Sequence, residues 1–450
     1  MGSVSMEGMD VESAAATPGG AGKASAGGGA HGVKLGFNWA GEAFGPADRE
    51  PTGGLVSSIM NLCACAFGAS MLSIPFAMEH AGVLPILGLL VLLGAIATKA
   101  AASIIQAGRR CECSSYNGIM SAYFGAFAGH VCESLLALCL ALAAMSYIVG
   151  LADMLPDMIA ATGSISRLPR IIVIMLAVFP LTLVPDMAVF GPASLVACLG
   201  CYGLAMGLSF VLATTPPVHG AKAWSTVFLK FDVMAAFQQL PLVTFLYAFH
   251  YILTDTLGEL ANPSASRMSK MIGGTILVQF LCYVVVGVSG LLLVLTLGKS
   301  TPDNVLLALG NDSIVVVFAR WVLGFLLFAT YSLFILPLRN RIELIYWKQV
   351  QPGLTVARLQ ICALLAGLIG VSAITLQNLS LANDVAGGCI AVIMLLFPGM
   401  LTVKDTFETP SMPLARRVSQ LVVGFCMAAL GVLVFAIGIG AAVSELLSDF

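Results

Sequence analysis

The chain has 450 residues, of which 59% are hydrophobic and only 10% charged, and its mean hydropathy is +0.97. Soluble domains carry roughly 25% charged residues, so a string of soluble domains is excluded and the chain reads as an all-α polytopic membrane protein whose solvent is lipid. The formal net charge of −2, with no basic block, excludes nucleic acid as a partner.

Residues 1–50 are rich in Gly, Ala and Ser and lack an apolar core segment, so they are expected to form a disordered cytosolic tail rather than a signal peptide. Within them, Gly20-Ala21-Gly22-Lys23-Ala24 fails as a phosphate loop. The leading glycine is missing, and Ala24 stands where Ser or Thr is required. A pump driven by its own ATPase is therefore not expected. The 12 cysteines sit mostly inside apolar runs, as at Cys63, Cys65, Cys139, Cys198 and Cys282. That is neither a disulfide framework nor a zinc pattern. Cys111 and Cys113 are expected as free thiols beside the membrane. No paired His, nucleophile motif or metal-spaced carboxylates point to an enzyme, a metal or a cofactor.

A helix needs about 20 apolar residues to cross the hydrocarbon core. Eleven stretches qualify, near 54–79, 82–106, 120–154, 168–185, 191–213, 235–260, 271–297, 314–338, 358–377, 383–403 and 418–443. With the N-terminus in the cytosol, all but six of the 21 Lys and Arg fall inside. The six are Arg167, Arg170, Lys222, Lys230, Lys299 and Arg320. This bias orients the chain, with the C-terminus outside. The sequons at Asn311 and Asn378 then fall in outer loops, Asn378 at a helix end and Asn311 as a glycosylation candidate.

Two segments do not read as plain lipid-spanning helices. In the first, Gly68, Ser70, Ser73 and Pro75 cluster at mid-depth. Pro75 removes a backbone donor, and Gly68 permits unusual backbone angles. Broken backbone at membrane depth survives where protein or a watery cavity satisfies it, though a proline kink with small residues for tight packing is the other reading. The sixth segment carries His250, Asp255 and Glu259, which cannot all face lipid. Interruptions in the first and sixth of eleven helices fit a five-plus-five inverted repeat with broken helices 1 and 6 and one extra C-terminal helix. The repeats would run over about 54–213 and 235–403, and the extra helix over about 418–443. Free N–H groups at one half-helix would suit a carboxylate, and free carbonyls at the other an ammonium or a cation. Such a site is built for a zwitterion.

At these residues the chain resembles the amino acid/auxin permease family of the amino acid–polyamine–organocation superfamily. Asn61-Leu62, the run Gly68 to Pro75 and Ala81-Gly82 resemble that family's first helix. Phe249-His250 with Glu259-Leu260 resembles its sixth, and Pro263-Ser264 with Arg267-Met268 the loop that follows. Ala319-Arg320 and Leu336-Pro337-Leu338-Arg339-Asn340 resemble the eighth helix, and Phe397-Pro398-Gly399 the tenth. The resemblance implies secondary active transport of amino acids. It places the substrate carboxylate at Gly68, Ala69 and Ser70, with Phe67 also binding substrate, facing Tyr247, Ala248, Phe249 and His250. Asn61 and Thr330 match positions that hold sodium in sodium-coupled relatives. The chain departs from the family at Ser70, where a second Gly is common, and at Ala64, where some sodium-coupled members have a second Asn. Of the two candidate coupling ions, H+ is therefore expected over Na+. Asp255 keeps a polyamine or cationic amino acid carrier open as an alternative, since a buried carboxylate would pair an extra ammonium. A transporter-fold nutrient sensor is a further alternative. The plasma membrane is the expected location, and an internal acidic compartment the alternative.

Overall fold

The computed structural model describes residues 53–159, 165–184, 191–217, 224–309, 314–347, 355–375, 379–409 and 411–448. The expected tail and the sequon asparagines, Asn311 and Asn378, lie outside the described residues. Each of the eleven apolar stretches is helical. Span 1 is Leu55–Ala66 followed, after a break, by Ile74–Ala81. Spans 2 to 5 are Val83–Cys111, Ala126–Met158, Arg167–Thr182 and Gly191–Thr214. Span 6 is Leu240–Leu246 and His250–Glu259, with Val233–Gln238 leading into it. Spans 7 to 9 are Ala265–Thr296, Ile314–Trp347 and Val356–Thr375. Spans 10 and 11 are Leu379–Phe407 and Leu414–Ser448.

Among the described residues, nine helices are each long and apolar enough to cross a bilayer, and the two halves of span 1, bent by 59°, make a tenth. Span 4 is shorter, at 16 residues. The interrupted helices are the first and the sixth, each heading a block of five.

The third span starts later than its apolar pattern implies. Gly125 takes φ 89°, a left-handed conformation that suits glycine, and separates the helix Tyr116–Phe124 from span 3. That short helix has its own start, where the Ser115 hydroxyl accepts a bond from Gly118 N at 3.2 Å. At the arginine-bearing ends of spans 2 and 8 the helix runs past the apolar stretch through Arg109–Arg110 and Arg339–Arg341. Helical hydrogen bonding continues after the hydrophobic pattern stops. Span 10 also contains a wide π-turn, Val392–Leu396, which the sequence pattern did not signal.

Burial sorts the helices. The most apolar stretch of span 6 is 94% buried and that of span 10 is 83% buried, against 28% for span 11. Spans 6 and 10 touch without side chains between them, since a Cβ on Gly387 would run into the Pro241 carbonyl. Span 11 lies along span 10 through Gly388 against Gly438 and Gly399 against Gly424. Small residues at such contacts let helix backbones approach closely in lipid.

Candidate functional site

Span 1 leaves the α-helix at Phe67 (φ −74°, ψ 105°), and Gly68 is extended (φ −148°, ψ −163°). A short 3-10 turn, Ala69–Ser73, leads into the outer half, where Pro75 stands in the first turn. Proline is tolerated there because the first N–H groups of a helix have no partner within it. The N–H groups of Gly68 and Ser70 donate to no acceptor among the described residues. The first bond of the turn runs from Met71 N to Gly68 O at 3.3 Å. Phe67, Gly68 and Ser70 are buried. This is the exposed positive end of a helix half, a ready site for a carboxylate.

Glycine at 68 is required for a different reason from the one expected. Any residue can adopt its backbone angles. A Cβ there, however, would lie 2.5 Å from Tyr147 Oη and 2.6 Å from Tyr147 Cζ. The tyrosine of span 3 lies directly on the glycine.

Span 6 breaks at Tyr247 and restarts at His250. Its turn is tight: Tyr247 N bonds Thr244 O at 3.2 Å, Ala248 N bonds Phe245 O at 3.0 Å, and Phe249 N bonds Tyr247 O at 3.0 Å. The carbonyls at the two breaks are not free, as the zwitterion reading expected. Three tyrosine hydroxyls take them up. Tyr147 donates to Phe67 O and Tyr251 to Cys65 O, each at 3.0 Å. Tyr283 of span 7 donates to Leu246 O at 2.6 Å, with Ala66 O 3.3 Å away. One hydroxyl therefore ties the break in span 1 to the break in span 6. The side chains touching the breaks are aromatic. Phe67 meets Tyr283 edge-on at 5.7 Å and Tyr202 at 6.3 Å, while Tyr147 meets Phe334 at 4.9 Å.

The remaining candidates divide. Tyr247, Ala248, Phe249 and His250 are buried at the break. His250 stacks on Phe249 at 4.4 Å, and its Nε2 donates to Ala97 O of span 2 at 3.0 Å. Thr330 of span 8 donates to Leu326 O at 2.7 Å and lies beside the Tyr147 hydroxyl. Asn61 is half-buried on span 1, before the break. Asp255 stands apart, five residues beyond His250. Its carboxylate is 4.0 Å from Arg341 of span 8, which also holds Glu133 of span 3 at 2.7 Å. No Lys or Arg in span 6 could supply that counter-charge, but the tertiary structure brings one. Among the described residues, no group of three or more His, Cys, Asp or Glu could hold a metal ion.

Sequence reasoning missed Tyr147, Tyr251 and Tyr283. Tyr147 and Tyr283 are each the one tyrosine of a long apolar helix, Tyr251 lies in the short second half of span 6, and along the chain nothing separates them from packing residues or interfacial anchors. Only the partner carbonyl, 37 to 217 residues away, reveals the role of each.

The profile of the family described as "Transmembrane amino acid transporter protein" matches residues 51–444. The chain is similar to a vacuolar amino acid transporter 7 of Saccharomyces cerevisiae, 24% identical over 68% of this chain and 62% of that protein. It is also similar to a putative sodium-coupled neutral amino acid transporter 11 of Danio rerio, 24% identical over 52% of this chain and 54% of that protein. A sodium-coupled neutral amino acid transporter 7 of Xenopus laevis is 24% identical over 61% and 63% respectively. The match spans less than two thirds of each relative's length. These relatives are transporters, not enzymes. Among solved structures, MhsT in complex with L-phenylalanine superposes with a TM-score of 0.55 at 15% identity, covering 87% of this chain and 100% of that one. A mutant of the Eremococcus coleocola manganese transporter gives 0.57 at 14% identity, covering 87% of each chain. Likeness at this identity concerns the fold alone: a multi-pass helical membrane protein with the transporter architecture.

Proposed function

This chain belongs to the transmembrane amino acid transporter family, and on that premise we propose that it is a secondary active carrier. It moves an amino acid across its membrane by alternating access and is driven by a proton gradient. What supports this reading most is the juxtaposition of two helix breaks at the centre of the bundle. The unengaged N–H groups of Gly68 and Ser70 lie at one break, and Tyr283 links it to the other.

In this mechanism the substrate carboxylate takes the N–H groups at Gly68–Ser70. Its ammonium competes with the tyrosine hydroxyls for the carbonyls of Ala66, Phe67 and Leu246. Phe67, Tyr247, Ala248, Phe249 and His250 form the walls. Tyr147 must move off Gly68 for the carboxylate to enter. Binding therefore exchanges internal hydrogen bonds for bonds to substrate, and that exchange links occupancy to rearrangement of span 1 against spans 3 and 7.

Proton coupling over sodium is supported by two features. Ala64 replaces an asparagine, and the Tyr147 hydroxyl lies between Phe67 O and Thr330, where a cation held by span 1 and span 8 would have to lie. The polyamine or cationic reading loses its motive, because Asp255 faces Arg341. For location, the plasma membrane remains the proposal. An acidic internal compartment would also supply the gradient, and fluorescence microscopy of the tagged chain separates the two.

The test is uptake into proteoliposomes of each labelled L-amino acid, with and without sodium and with and without an inward proton gradient. Accumulation that follows the proton gradient and ignores replacement of sodium by choline is expected. Sodium-dependent accumulation overturns the coupling ion, and no accumulation of any amino acid overturns the function.

A further inference from the structure

Span 7 carries Gln279 in the middle of its buried face. Its side chain is 0% exposed, and neither Oε1 nor Nε2 has a hydrogen-bond partner among the described residues. The Tyr247 hydroxyl, at the break of span 6, is equally buried and equally unpartnered. The packing sets Tyr247 against the stripe of span 7 that carries Gln279. The rings of Tyr247 and Tyr283 meet edge to face at 5.8 Å. A Cβ on Gly94 of span 2 would lie 3.2 Å from Tyr247 Oη and 3.4 Å from Ile276 Cγ2. Ile276, Gln279 and Tyr283 follow one another along a single stripe of span 7. Gln279 thus lies between the two span 7 residues that flank Tyr247, and one helical turn from the hydroxyl that links the two breaks.

Buried polar groups almost always have partners, and an exception calls for a ligand or ordered water. The chemistry of these atoms narrows the choice. A cation needs only acceptors, and an anion only donors. Gln279 offers both an NH2 and a carbonyl, and the Tyr247 hydroxyl can give or take. The matching partner is neutral and itself carries a donor and an acceptor. We propose that Gln279 and Tyr247 form the side-chain subsite of the carrier, selecting amino acids with an uncharged carboxamide or hydroxyl side chain over aliphatic ones of similar size. This rests on the amino acid transport reading and names the substrate class of that site.

The experiment uses the full chain in proteoliposomes. Uptake of labelled glutamine, asparagine and serine is compared with that of leucine, methionine and alanine. The wild type is expected to show the higher kcat/KM for the first group. Gln279→Met keeps the length of the side chain and removes both polar atoms. The preference should fall by about tenfold, the scale of one or two lost hydrogen bonds, while leucine and methionine uptake is held or raised. Tyr247→Phe keeps the ring packing and should move the same ratio in the same direction by less. It also decides the matter if Gln279→Met fails to give a single symmetric peak on size exclusion. A wild type that prefers aliphatic substrates overturns the subsite while leaving amino acid transport standing. So does an equal change for every substrate in both variants, which would make the pair a structural or water-holding element. No uptake of any amino acid by the wild type overturns the transport reading, and the subsite with it.

Discussion

The middle of the bundle and its arginine-rich end are held together in different ways. At the breaks, neutral tyrosine hydroxyls cap backbone carbonyls on spans 1 and 6. At that end, spans 3, 6, 8 and 9 are joined by charge. Arg341 lies between Glu133 and Asp255, and Arg358 makes a two-pronged contact with Glu343 at 2.9 and 3.1 Å, with all four of those atoms buried. Arg110 of span 2 likewise pairs with Asp405 of span 10. A neutral intramolecular hydrogen bond has a net worth of about 1 kcal/mol, so a ligand that offers the same bonds can replace it. A buried ion pair behaves differently. Stripping one partner leaves a charge stranded in low dielectric, at about 3–5 kcal/mol. The middle is therefore suited to the exchange of partners that the proposed transport cycle requires, and the charged end to holding the helices in register.

The largest effect should come from the most crowded position. Gly68→Leu places a side chain where Tyr147 already lies, and uptake should be abolished while surface biotinylation shows normal delivery. Retained uptake would mean that the break at Gly68 is not where substrate binds. Next, Arg341→Met strands Glu133 and Asp255 and should destabilise the protein by about 3–5 kcal/mol. A fluorescence melting curve in detergent should show the loss, and adding Glu133→Gln should recover much of it. A small loss would erase the contrast drawn between the two regions.

Tyr147→Phe removes one hydrogen bond to Phe67 O and should cost about 1 kcal/mol of stability. It should lower uptake more than the melting temperature, because in the proposed mechanism substrate displaces this hydroxyl. Equal effects on both would place Tyr147 in the same class as the charges of the arginine-rich end. The smallest effect is expected from Asp255→Asn, since Arg341 keeps its closer bond to Glu133 at 2.7 Å. Uptake of arginine and lysine should change no more than that of neutral amino acids. A selective loss for the cationic substrates would sharpen the comparison in the other direction, by making Asp255 part of the site.

Much of this protein was decided by local chemistry and could be read along the chain. Composition forces the helices into lipid. Gly68 and Pro75 mark the first break, because proline lacks a backbone donor and is best accommodated in a helix's first turn, and the arrival of His250 in an apolar run marks the neighbourhood of the second. The arginines that end spans 2 and 8 carry the charge bias from which the expected orientation was read.

The tertiary structure decided what fills the breaks. Which carbonyl Tyr147, Tyr251 or Tyr283 caps depends on contacts between helices far apart in sequence, and hydrophobic periodicity carries no record of them. Asp255 illustrates this in reverse: span 6 lacks a counter-charge, and Arg341, 86 residues later, supplies one. Gly68 follows the same logic. Its sequence signal suggested unusual backbone angles, yet its φ is ordinary, and the lack of a side chain matters because a tyrosine from another span occupies that space. A residue's own preferences fix where a helix stops, while the neighbours that fill the gap are set by packing across the bundle.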